Sequence, residues 1–85
     1  MTIAEIITKA ESAAAEITIE TVSVSSWKNE RLYVNRPDQA KAYQSCGYIR
    51  ISDMKAFPSC GDRPRTSRDR DSIDYINRII SAIEA

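Results

Sequence analysis

Three short runs that alternate apolar and polar residues occupy the middle of this chain and limit what it can become. They are Thr21-Val22-Ser23-Val24-Ser25-Ser26-Trp27, Arg31-Leu32-Tyr33-Val34-Asn35 and Gly47-Tyr48-Ile49-Arg50-Ile51-Ser52. Successive side chains of a strand point to opposite faces, so alternation of apolar and polar residues marks a strand buried on one side only. From Val22 the phase is clear. Val22, Val24, Leu32, Val34, Ile49 and Ile51 share one face, and Ser23, Ser25, Trp27, Arg31, Tyr33, Asn35, Tyr48, Arg50 and Ser52 share the other. The connections favour antiparallel pairing. Lys28-Asn29-Glu30 suits a tight hairpin, with Asn29 tolerant of positive φ. Residues 36–44 are too short for a parallel crossover, and Pro37 suits the first turn of a short helix there.

The aliphatic face needs a cover, and two segments of helical period supply it. Thr2-Ile3-Ala4-Glu5 reads as a capping box, in which the hydroxyl and the carboxylate each satisfy an amide of the first turn. Ile3, Ile6, Ile7, Ala10 and Ala14 then recur at helical spacing, which predicts a helix over residues 3–16. Ile17-Thr18-Ile19-Glu20 fits either a helix end or a strand start, and a turn or bulge near Glu20–Thr21 would reconcile the phases. At the other end, Asp71 is the expected N-cap, with Asp74 in the first turn, before Ile73, Ile76, Ile80 and Ile83 with Tyr75 and Ile79 at their flanks. Between sheet and last helix, residues 53–71 read as the least regular part. Met54 and Phe57 are expected to tuck into the core, and Gly61–Arg70, without an apolar residue, reads as a mobile loop.

The expected fold is an α+β two-layer sandwich. A three-stranded antiparallel sheet carries the N- and C-terminal helices on one face, in the order α-β-β-(short α)-β-α, as a single domain over residues 1–85. A chain of 85 residues buries a thin core. No apolar run approaches the ~20 residues of a membrane span. The start Met1-Thr2-Ile3-Ala4-Glu5 lacks the basic and apolar regions of a signal peptide, so a soluble cytoplasmic protein is expected. Cys46 and Cys60 match no zinc spacing, and the chain has no His. Two reduced thiols suit that compartment, and one disulfide would suit an oxidising one.

Net charge is zero but unevenly spread. Residues 1–26 carry −3, residues 27–70 carry +5 and residues 71–85 carry −2. A basic middle between acidic ends bears on partners rather than on fold. Catalytic signals are sparse: no His for general base work, no nucleophile–base pattern, and no glycine-rich phosphate loop in a chain with two Gly. Asp69, Asp71 and Asp74 are explained by caps and solvated charge without a metal. No enzyme activity, cofactor or metal is expected.

The sheet face left open by the helices is the first candidate site. Trp27, Arg31, Tyr33, Tyr48 and Arg50 are residue types that anchor interfaces and also stack nucleobases. The plain alternative is that the aromatics pair across strands to stabilise the sheet. Arg63, Arg65 and Arg68 form a second candidate for phosphates or carboxylates, weakened by Asp62, Asp69 and Asp71. The leading expectation is a small binding or inhibitor protein that docks on a protein partner, such as a nucleic-acid-processing complex. Short chains without a catalytic site are the profile of inhibitors carried by phages and mobile elements, anti-CRISPR proteins among them, an analogy of profile and not of motif. The alternatives are a nucleic-acid-binding domain using the aromatic–Arg face, and a structural homodimer.

Overall fold

The computed structural model describes residues 2–18, 23–27, 31–35, 45–59 and 63–85. Helix α1 spans Ile3–Thr18, strand β1 Ser23–Trp27, β2 Arg31–Asn35, β3 Ser45–Arg50, β4 Lys55–Pro58 and helix α2 Ser67–Glu84. The strands run in the order β1-β2-β3-β4, and every neighbouring pair is antiparallel. The short helix expected within 36–44, the hairpin turn at 28–30 and the turn or bulge at Glu20–Thr21 lie outside the described residues.

Helix α1 starts as its sequence dictates. The Glu5 amide donates to Thr2 Oγ1 at 3.2 Å, and the Thr2 hydroxyl donates to Glu5 Oε1 at 3.1 Å. The helix runs two residues past the expected end and takes in Ile17 and Thr18. Ile17, like Ile3 and Ile7, packs against the core, so the helical phase of this segment wins over the strand phase. Ile6, Ala10, Ala13 and Ala14 are buried. The three alanines let the helix approach the layer beneath it.

Both helices lie on one side of the sheet. Helix α1 covers β1, α2 covers β3 and β4, and the two helices pack on each other. One cluster joins Val24, Leu32, Val34, Cys46 and Ile49 from the strands to Ile6, Ala10, Ala13 and Ala14 from α1, and to Tyr75, Ile76, Ile79, Ile80 and Ile83 from α2. Leu32, Val34, Ile49, Ile76 and Ile79 are completely excluded from water. At about 25 cal/mol per Å² of apolar surface, burial of this aliphatic set is the main favourable term of the fold.

The sheet differs from expectation on its C-terminal side. Strand β3 ends at Arg50, residues 51–54 turn, and Lys55–Pro58 returns as a fourth strand. Ile51 therefore leaves the ladder, yet it still packs against the core together with Met54 and Ala56. The turn requires a backbone conformation with φ +53° at Met54. That left-handed region is normally taken by Gly or Asn, so nothing in the Met54 side chain announces it. Phe57 does not enter the core as expected. Its neighbours Ala56 and Pro58 point inward, and alternation sends Phe57 outward.

Strand β3 also carries an irregularity. Val34 pairs with Gly47 but Asn35 pairs with Ser45, leaving Cys46 as an extra residue. Cys46 and Gly47 are consequently both buried although adjacent in sequence. Cys60 lies outside the described residues.

Helix α2 begins earlier than Asp71. Thr66 is the N-cap, its hydroxyl accepts from the Asp69 amide at 3.1 Å, and the Asp69 carboxylate returns to the Thr66 amide. Asp69 also accepts from the Arg65 amide at 3.0 Å. The second half of the expected mobile loop is thus the first turn of a helix. A second threonine–acid capping box outweighs the high local charge.

Candidate functional site

Register builds the outer face of the sheet in rows that cross the strands. Tyr33 of β2 lies opposite Tyr48 of β3, which lies opposite Phe57 of β4. One step along, Arg31 lies opposite Arg50, and Arg50 opposite Lys55. An aromatic row and a cationic row therefore run side by side over three strands.

The two rows interlock. The Tyr48 and Phe57 rings stack at 5.1 Å with 10° between their planes, and Tyr33 meets Tyr48 at 5.5 Å and 45°. The Arg31 guanidinium carbon sits 4.5 Å from the centroid of Tyr48, and that of Arg50 sits 4.5 Å from the centroid of Phe57. Each arginine thus lies over the aromatic ring of the next strand, where the ring quadrupole attracts it. Arg31 also makes a long hydrogen bond of 3.4 Å to the Tyr33 hydroxyl. Tyr33, Tyr48 and Phe57 are half-buried by these contacts, and Lys55 is exposed.

Asp53, in the turn before β4, closes the set. The Arg50 Nε donates to Asp53 Oδ1 at 2.9 Å, and Nη2 donates to Oδ2 to complete a two-pronged pair. Through that hydrogen bond the Arg50 guanidinium holds the Asp53 carboxyl below the usual carboxylate range, and Asp53 raises Arg50 in turn. Both side chains stay substantially in solvent, at 43% and 34% exposure, so the pair orients Arg50 more than it stabilises the fold.

Arg31, Tyr33, Tyr48 and Arg50 are brought together as the alternation predicts. Trp27 stands opposite Arg31 in the β1–β2 ladder, and its side chain lies outside the described residues. Arg63, Arg65 and Arg68 do not join them. All three are exposed, Arg65 immediately precedes the N-cap, and Arg68 belongs to α2 in the layer behind the sheet. Phe57, Lys55 and Asp53 were not anticipated as part of the face. Lys55-Ala56-Phe57-Pro58 does not alternate, and the local signal was the pair of turn formers Ser52 and Asp53 before it.

Shallow depressions lie on the helix layer of the described surface. One is lined by Ala4, Glu5, Thr8 and Lys9, and another lies between the helix ends around Ser12, Ala13 and Ala82. No group of three metal-ligating side chains forms among the described residues, and Asp69 is engaged in the α2 cap. No helix among the described residues is long and apolar enough to cross a membrane. Comparison with family models, curated proteins and solved structures finds no match for the chain.

Proposed function

We propose that this chain is a small non-enzymatic binding protein whose outer sheet face docks on an acidic surface of a protein partner. The observation that carries this reading is the packing around Tyr48. Phe57 reaches its ring from β4, and Arg31 reaches it from β2 on the opposite side of the strand. A nucleobase needs an open ring face on which to stack, and these rings are already stacked with one another or overlain by guanidinium groups. What the surface offers instead is an aromatic bed overlain by arginine guanidinium groups. Its side chains are held by their neighbours before any partner arrives, which lowers the ordering cost of binding. Aromatic and arginine side chains of this kind dominate interface energetics.

The cationic row is also hard to explain as a device for stability. Like charges directly opposite on neighbouring strands are unfavourable, yet Arg31, Arg50 and Lys55 stand in register on three strands. Asp53 pairs with Arg50, the Tyr48 and Phe57 rings lie under the two arginines, and an acidic partner would add to these contacts.

The test is affinity capture from host lysate, with and without nuclease, using wild type and the pair Arg31→Glu and Tyr48→Ser. A protein that survives nuclease and is lost from both folded variants supports the reading. A captured set that vanishes with nuclease overturns it in favour of nucleic-acid binding. Capture indifferent to both variants removes the sheet face from the function.

A further inference from the structure

We infer that the chain pairs with a second copy of itself through strand β1, antiparallel and edge to edge, so that two four-stranded sheets join into one. This joint is independent of whatever docks on the outer face.

The two edges of the sheet differ. At one edge β4 is four residues long, opens on the exposed Lys55 and closes on Pro58, which has no amide hydrogen to offer. Short length, lysine and proline are the devices that keep an edge from pairing. Strand β1, at the other edge, has a register with β2 that runs unbroken over five pairs, from Ser23–Asn35 to Trp27–Arg31, with no bulge to twist it away. Residues 21–27 contain no charge, no Pro and no Gly. Among the described residues β1 has a neighbouring strand on one side only. A row of backbone donors and acceptors therefore faces outward along it.

The layer above this edge is unfinished too. Helix α1 covers β1, and α2 packs on α1. The flank that α1 turns to α2 carries Ser12 and Ala13, which share a shallow depression with Ala82. At 3.6 residues per turn, Ile7 lies roughly half a turn from that flank, on the side of α1 away from α2. Ile7, and Ile3 one turn before it, pack on the core and yet remain half-exposed. By contrast Tyr75, Ile76, Ile79, Ile80 and Ile83 of α2 are buried.

A second copy completes both layers in one operation. A twofold axis normal to the sheet pairs β1 with its copy antiparallel, and it sets the two α1 helices side by side on the same face of the sheet. A lone foreign strand would pair with the edge and leave Ile3 and Ile7 in water. The absence of charge in residues 21–27 lets like meet like without repulsion. Size agrees. The 16 residues of α1 extend about 24 Å, and the shortest dimension of the molecule is 22 Å. The edge thus offers roughly 500 Å² per copy, and about 1,000 Å² in total is the lower bound for specific association. A weak dimer follows, in which both outer faces look the same way and the cationic rows on β2, β3 and β4 stay clear of the joint.

Sedimentation equilibrium of the full chain at roughly 5–500 µM tests this, with amide hydrogen exchange at both ends of that range. Wild type is expected to pass from monomer to dimer mass and to gain protection in the β1 amides as concentration rises. Ser25 is the middle residue of β1. Ser25→Lys and Ser25→Glu are each expected to weaken the dimer about fivefold or more, because a twofold joint brings each charge near its own copy. An equal mixture of the two folded variants should restore association, and Ser25→Ala should retain it. A chain that stays monomeric throughout overturns the inference. A dimer whose β1 amides gain no protection, or which either single charge leaves intact, overturns it too. So does a mixture that associates no more tightly than the separate variants.

Discussion

Gly47→Ala concentrates the demands of this fold on one methyl group. Gly47 has φ +137°, and a Cβ there would sit 2.1 Å from the Phe57 carbonyl oxygen of β4 and 3.2 Å from Cδ1 of Ile76 in α2. Contacts under 3.0 Å essentially never occur for a real Cβ, so β4 must move by about 1 Å. A displacement of that size takes a backbone hydrogen bond from about 2.9 Å to near 3.9 Å, beyond a useful bond. Two broken ladder bonds cost about 1 kcal/mol each, and the unfavourable backbone region adds about 1–3 kcal/mol. The total, roughly 3–5 kcal/mol, is a large share of the ~4–13 kcal/mol that a domain of this length commands. In urea, with a slope of about 1.5 kcal/mol per M, the midpoint of the circular dichroism transition should fall by roughly 2–3 M. The exposed turn residue Ser52 serves as control, and Ser52→Ala should leave the midpoint in place. A fall in Gly47→Ala of less than about 0.5 M would refute the close approach of β3 and β4 and the need for glycine between them.

Three further outcomes follow from the core, the helix cap and the Arg50–Asp53 pair. Ile76 is fully buried between α2 and the sheet, so Ile76→Asp should abolish cooperative thermal unfolding, whereas Asn77→Asp on the exposed side should not; an unchanged melting temperature for Ile76→Asp would undo the docking of α2. Thr66→Ala removes the hydroxyl that caps α2 and should cost about 1 kcal/mol, lowering the melting temperature by roughly 4–8 °C, while Thr66→Ser should retain most of it. Asp53 is held below its ordinary value by Arg50, so its contribution to stability is present above the unfolded value near 3.9 and is lost as pH falls through the lower folded value. Carboxyl NMR titration should show a depressed midpoint for Asp53 that returns to the ordinary range in Arg50→Ala, and identical midpoints in the two proteins would dissolve the pair.

The candidate face divides into a part that local pattern announces and a part that it does not. Arg31, Tyr33, Tyr48 and Arg50 were placed on one side by two-residue alternation alone, because pleating fixes side-chain direction once a strand is assumed. Pairing was not so legible. That Tyr48 stacks on Phe57, and Arg50 over the same ring, depends on a fourth strand of four residues entered through a methionine at positive φ. Asp53 looked like one more charge in an irregular stretch, and its meaning came only with the turn that folds it back on Arg50.

By itself the sequence determined the two long helices and most of the buried stripe of each, the inward placement of Val24, Leu32, Val34 and Ile49, and the first capping box. These are consequences of period and of short-range hydrogen bonding, which a chain carries locally. The start of α2 at Thr66 and not Asp71 is local too, set by a second capping box with Asp69 whose first turn stays mostly exposed. Tertiary structure decided the rest. It placed an extra residue at Cys46, sent Phe57 out of the core and added β4 to the sheet edge. Each of these choices balances a local cost, a bulge, a strained turn or a row of like charges, against contacts between residues distant in sequence.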